Sequence, residues 1–103
     1  MNTRVQYNFE WDPNKANENL QKHKVRFERA TEIFQDHLSV SIFDREHSES
    51  EERWITLGQD YSGVLLVVVH TFEEEGDNQF SIRIISIRKA TKREMRQYKG
   101  QSL

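Results

Sequence analysis

Hydrophobic and polar positions recur along this chain with two different periods, and the changes of period divide it into elements. Phe9-Glu10-Trp11 is a short extended lead-in. Asp12-Pro13 marks a helix start, with Asp as N-cap and Pro at the first helical position. Ala16, Leu20 and His23 fall on one face of a helix running to about His23. After an extended Val25-Arg26-Phe27, the stripe Phe27, Ala30, Ile33 and Phe34 predicts a second helix over Glu28 to Gln35. The rest reads mostly as strand: Ser39 to Phe43, Arg53 to Gly58, the apolar run from Val64 to about Thr71, and Phe80 to Lys89. A charged loop over 44–52, a turn over 59–63 and the acidic turn Glu73-Glu74-Glu75-Gly76-Asp77 separate them. Connections this short favour an antiparallel meander, and the unbroken run Val64–Val69 predicts a central strand covered on both faces. Thr91-Lys92-Arg93-Glu94 has the form of a capping box. It opens a helix expected to end near Lys99-Gly100, where Gly suits a left-handed cap. The expected fold is α+β: two N-terminal helices, a four-stranded antiparallel sheet and a short C-terminal helix, in a single domain over 1–103.

Composition sharpens this outline. A chain of 103 residues is large enough for one modest core, and 35% hydrophobic against 31% charged residues makes that core thin. A mean hydropathy of -0.88 would suit a disordered chain, but the two branched apolar strands argue for folding. With no cysteine, disulfides, thiolate metal sites and cysteine nucleophiles are excluded. No apolar segment follows Met1 in the manner of a secretory signal, and no run approaches the ~20 residues of a membrane span. A soluble, cytoplasmic protein is expected.

Charge is segregated. The chain carries -2 overall, yet Arg88, Lys89, Lys92, Arg93, Arg96 and Lys99 face only Glu94 in residues 88–99. A basic end on an acidic chain points to an anionic ligand, nucleic acid first, bound through a local patch. Arg83, set among isoleucines in a strand, is costly unless its charge is used. Period-2 alternation places Arg83 on one face with Ile85, Ile87 and Lys89, and Arg88 on the other, unless the strand ends or bulges before Arg88. Arg53 begins another strand and can reach the same surface. His23 and His70 are candidates for proton transfer because an unshifted imidazole titrates near neutrality, although a lone histidine on an apolar face is commonly a packed one. Tyr98, four residues after Glu94 on one helical face, is either an acid, base or stacking group or an anchor of its helix. Asp44, Glu46 and His47 are ligand types, but their spacing fits no ordinary metal cage.

Three segments in order carry a family resemblance: Phe9-Glu10-Trp11-Asp12 with Lys15, Ala16, Asn19 and Lys22-His23; then Glu52-Arg53-Trp54 with Gly58; then Arg83-Ile84-Ile85-Ser86 with Arg88, Ala90, Glu94 and Tyr98. Together they resemble the BrnT family, ribonuclease toxins of bacterial type II toxin–antitoxin systems with a RelE-like fold. The chain departs from the family pattern at Lys24 (usually Gly), Ile87 (usually Ala) and Arg26 (usually small and polar). The resemblance implies a metal-independent endoribonuclease without cofactor, cleaving RNA by 2′-hydroxyl attack and inhibiting translation and growth. Arg53, His70, Arg83, Arg88 and Tyr98 are the expected catalytic residues, and Lys22, His23, Lys89, Lys92, Arg93 and Arg96 the expected RNA-binding ones. It also implies an antitoxin, a BrnA-like ribbon–helix–helix protein, through which alone the toxin would meet operator DNA. The rival reading is a non-catalytic RNA- or partner-binding module, a degenerate toxin acting as a co-repressor subunit.

Overall fold

Three isoleucines fix how the longest strand sits: Ile82, Ile84 and Ile87 are all fully or almost fully buried, and the last step is three residues rather than two. A computed structural model describes residues 4–100. Its elements are β1 (Gln6–Glu10), α1 (Pro13–His23), a 3₁₀ turn Phe27–Arg29 running into α2 (Ala30–Ile33), β2 (Val40–Phe43), a second 3₁₀ turn Arg45–His47, β3 (Arg53–Gln59), β4 (Leu65–Thr71), β5 (Glu73–Gly76), β6 (Gln79–Lys89) and α3 (Lys92–Gly100). The strands form one six-stranded mixed sheet in the order β1-β6-β4-β3-β2, with β5 also paired to β6.

This corrects the expected four-stranded antiparallel sheet beneath two N-terminal helices. The lead-in is a full strand, parallel to β6 from Gln6↔Gln79 to Glu10↔Arg83. Its alternation places Tyr7 and Phe9 inward and Gln6, Asn8 and Glu10 outward. The acidic segment Glu73–Gly76 is a strand rather than a turn, exposed throughout and antiparallel to β6. The turn proper is Asp77-Asn78, with Asn78 at φ 58°, a left-handed conformation that asparagine tolerates. Only α1 is an N-terminal helix of the expected length. The second is one 3₁₀ turn and one α turn in mid-chain, and Arg26 gives it no side-chain cap. At the other end α3 finishes near Lys99-Gly100 as expected, but with Gly100 as a helical residue and not in a left-handed cap.

The core lies on one face of the sheet, here the inner face. Val25, Phe27, Ala30 and Ile33 pack onto Leu66, Val68, Ile82, Ile84 and Ile87. Gly58 is required where α2 crosses β3, because a Cβ there would lie 3.2 Å from the Ile33 Cβ, the Ile33 carbonyl oxygen and the Ser39 Cβ. Asn19 ties α1 to the sheet. Its buried amide donates to the Val25 and Ile87 carbonyls (3.1 and 2.9 Å) and accepts from the Ile87 N–H at 3.1 Å. That side chain therefore supplies the hydrogen bonds of a neighbouring strand at a point of β6 that β1 does not reach.

Candidate functional site

Each candidate arginine can be assigned to a face from its strand register. Antiparallel partners share a face. Arg53 pairs with Thr71 and Arg88 with Val67, and Thr71 and Val67 lie four apart on β4, so both arginines stand on the outer face. The register between β4 and β6 slips between Val69↔Ser86 and His70↔Ile84, which leaves one extra residue, a bulge, in β6. Arg83 lies before that bulge, between the inward Ile82 and Ile84, and therefore faces outward as well. Arg83 and Arg88 thus share one face rather than occupying opposite faces, and Ile87 points into the core instead of accompanying Arg83. The rows holding the two arginines are about 13 Å apart along β4.

Arg53 and Arg83 converge on Glu51. The Arg83 Nη2 donates to Glu51 Oε1 in a close contact, while the Arg53 Nε lies 3.9 Å from the same oxygen, beyond hydrogen-bond range. That Nε is buried without a hydrogen-bond partner, the only such side-chain atom among the described residues. The Thr71 hydroxyl, between the two arginines, accepts from the Arg83 backbone N–H at 3.0 Å. The result is a half-exposed cationic cradle. One carboxylate occupies it and leaves a donor unused.

Arg88 is held differently. Its guanidinium makes a two-pronged contact with Glu94, at 2.8 and 2.9 Å, and Glu94 also accepts from the Thr91 N–H at 2.8 Å while its own N–H donates to the Thr91 hydroxyl. The expected capping box is formed and doubles as the anchor of an arginine. The bonds from Arg88 outweigh partial burial and hold the Glu94 carboxyl at about 2, and Glu94 in turn raises the Arg88 pKa. Lys89, Lys92, Arg93 and Arg96 are all exposed, at the end of β6 and along α3. Between α3 and the outer face runs a groove of about 340 Å³ floored by Val40, Ile42, Ile55, Leu57 and Val67, with Glu94 and Gln97 at its side.

The remaining candidates stand elsewhere. His70 lies on the inner face and is 2% exposed. Its Nδ1 must donate to the Thr71 carbonyl at 2.8 Å, so Nε2 accepts from the Thr56 hydroxyl at 2.6 Å, and that hydroxyl is 2.7 Å from Ser41 Oγ. Burial lowers the His70 pKa against the pull of the Thr71 carbonyl, and the ring stands edge-on to Phe34. A cavity of about 290 Å³ lies beside it, walled by Tyr7, Trp54 and Phe72. The Tyr98 hydroxyl donates to Asp36 at 2.6 Å, and burial together with that bond pushes its pKa up to about 12. Tyr98 thus pins α3 to the loop before β2. Lys22 and His23 line a groove of about 240 Å³ with Lys15, Asn19, Ile85 and Ser86, between α1 and the edge of β6.

Sequence reasoning missed Glu51 as the partner of Arg83, since a carboxylate in a polar loop gives no pattern, and it held the bulge only as an exception to simple alternation. The spacing Ile82, Ile84, Ile87 is the signal from which the bulge could have been read. Among the described residues no three His, Asp or Glu side chains gather to hold a metal ion, and no helix is long and apolar enough to cross a membrane.

A mixed sheet with α1 and α2 packed on its inner face, and arginines and α3 on the outer one, defines a small α+β scaffold. A family model described as the ribonuclease toxin BrnT of type II toxin–antitoxin systems matches residues 11–94, and the chain belongs to that family. Among solved structures it is similar to the 1.1 Å crystal structure of the Brucella abortus ribonuclease toxin BrnT. The TM-score is 0.52 at 23% identity, over 85% of this chain and 100% of that one. At that identity the likeness is one of fold. A comparison with curated proteins finds no match. As a type II toxin, the chain has an antitoxin as its partner.

Proposed function

We propose that this toxin is an endoribonuclease that works without a metal ion and that its reaction surface is the outer face of the sheet. The observation that carries this reading is the cradle of Arg53 and Arg83 over Thr71, with an unused donor and a displaceable carboxylate. In the proposed reaction the 2′-hydroxyl attacks the adjacent phosphorus, leaving a 2′,3′-cyclic phosphate and a free 5′-hydroxyl. Two guanidiniums that stay charged and offer paired donors are suited to the extra negative charge of the phosphorane. Arg88, about 13 Å away along β4, would hold a further phosphate of the strand once Glu94 yields. Lys89, Lys92, Arg93 and Arg96 would draw the strand in by charge. The antitoxin would be a BrnA-like ribbon–helix–helix protein that covers this face and carries the operator-binding function of the pair.

The test is cleavage of RNA by purified protein freed of antitoxin, in excess EDTA. Wild type is expected to leave 2′,3′-cyclic phosphate ends, and Arg83→Ala to cut at least about a hundred times more slowly with modest loss of RNA binding. Cleavage that EDTA abolishes would overturn the metal-free mechanism. The pairing of Arg83 and Arg88 with the chain's own carboxylates favours a second reading, a module that binds RNA or a partner without cutting. For that module Arg83→Ala would alter affinity and its salt dependence, with no cleavage to lose.

A further inference from the structure

A guanidinium cradle stabilises negative charge but takes no proton, and in-line attack by a 2′-hydroxyl needs a group that does. The residues of the outer face narrow the choice. His70 is on the far side of the sheet with both ring nitrogens bonded. The Tyr98 hydroxyl is spent on Asp36, and Glu94 stands at Arg88, whose row is about 13 Å along β4 from the cradle. At the cradle itself stands Glu51, a third exposed, one oxygen against Arg83 and nearing Arg53. It lies beside the position a phosphate would take, and its contact with Arg53 is too long to hold it fast. By strand register the other carboxylates on this face near it are Glu10, the neighbour of Arg83 on β1, and Glu73 on β5, opposite Ser81. Both are exposed, and the ion pairs of Arg53 and Arg83 go to Glu51 instead.

We propose that Glu51 is the general base of this toxin. This rests on the reading of the outer face as the cleavage surface. A phosphate of the bound RNA takes over the Arg53 Nε and Arg83 donors, releasing the Glu51 carboxylate beside the 2′-hydroxyl. The carboxylate accepts the 2′-hydroxyl proton as the O2′–P bond forms. The P–O5′ bond then breaks, and the departing 5′-oxygen takes a proton from solvent in this open site. No oxidant, reductant or further reactant is needed.

Glu51→Gln keeps the shape and the contact with Arg83 while removing the base. The expected result is a fall in kcat of about 10²–10⁴-fold with KM unchanged or lower, and loss of the limb of the pH–rate profile that rises with pH. Formate should restore part of the rate to Glu51→Ala, while Glu10→Gln and Glu73→Gln should cut at the wild-type rate. Far-ultraviolet circular dichroism and thermal melting show that each variant is folded. A Glu51→Gln protein within threefold of wild-type kcat, or one that is slow yet keeps the rising limb and ignores formate, would overturn the assignment. Either result would leave a cleaving wild type, and thus the outer-face reading, standing. A wild type that cuts no RNA would remove both together.

Discussion

Lys24 ends α1 at φ 61°, ψ 29°, with its N–H on the Leu20 carbonyl at 2.9 Å. A side chain in the left-handed region costs about 1–2 kcal/mol, part of which a glycine would give back through a freer unfolded chain. Lys24→Gly is therefore expected to stabilise the fold by about 1 kcal/mol, seen as a melting temperature several degrees higher. Asp60 makes the opposite point. Burial raises its pKa, but bonds from Arg29 (2.9 and 2.5 Å), from the Ser62 N–H and hydroxyl, and from the Val64 N–H outweigh that and hold it at about 2. A depressed folded value means the stabilisation is complete above the unfolded value near 4 and is lost as pH falls toward 2. Urea titrations should show Asp60→Asn about 2 kcal/mol less stable at pH 7, with the gap closing as pH falls toward 2. The left-handed turn at Lys24 was legible in the sequence, because a family glycine stands there. Asp60 was legible only as a turn residue, because Arg29, its partner, is thirty-one positions away.

β3, β4 and β6 were legible as strands because branched residues dominate them, although simple alternation gave the wrong facing within β6, and the capping box of α3 was visible as four consecutive letters. What escaped notice were the elements with weak signals. β1 spells Gln6-Tyr7-Asn8-Phe9-Glu10, whose alternation is clear once Gln6 is counted as its first residue, and β5 is almost wholly acid. Tertiary pairing to β6 makes strands of both, overriding the low propensity of glutamate. A single bulge residue then reverses the facing of everything after it, so alternation without the bulge separates Arg83 from Arg88 while alternation with it joins them. At this scale α3 depends on Glu94. Glu94→Gln would break the two-pronged pair with Arg88 and weaken the cap, a loss of about 1–2 kcal/mol, reduced because Arg88 is 40% exposed. Because Glu94 is held at about 2, the same loss should develop in wild type as the solution is acidified from pH 4.5 toward 2. Chemical denaturation of both proteins across that range checks it.

For the molecule as a whole, the net charge is -2, and residues 88–99 concentrate the positive charge that the proposed contact with RNA would use. Binding of single-stranded RNA should weaken steeply with salt, and each of Lys92→Gln and Arg96→Gln should lower the slope of log K against log salt by about 0.7 if its cation meets one phosphate. Unchanged slopes in both would move the RNA path off α3. The layers themselves are joined differently: the strands by ladder bonds, α1 to the upper half of β6 by apolar packing and the hydrogen bonds of the buried Asn19 amide. The Ile87 N–H is held by the Asn19 side chain rather than by a strand. Its exchange with deuterium therefore times the lifting of the helix from the sheet, while the Val68 amide, in mid-sheet, times the opening of the strands. If the two exchange at different rates, the helical layer is a separate cooperative unit, and a single backbone proton is its clock.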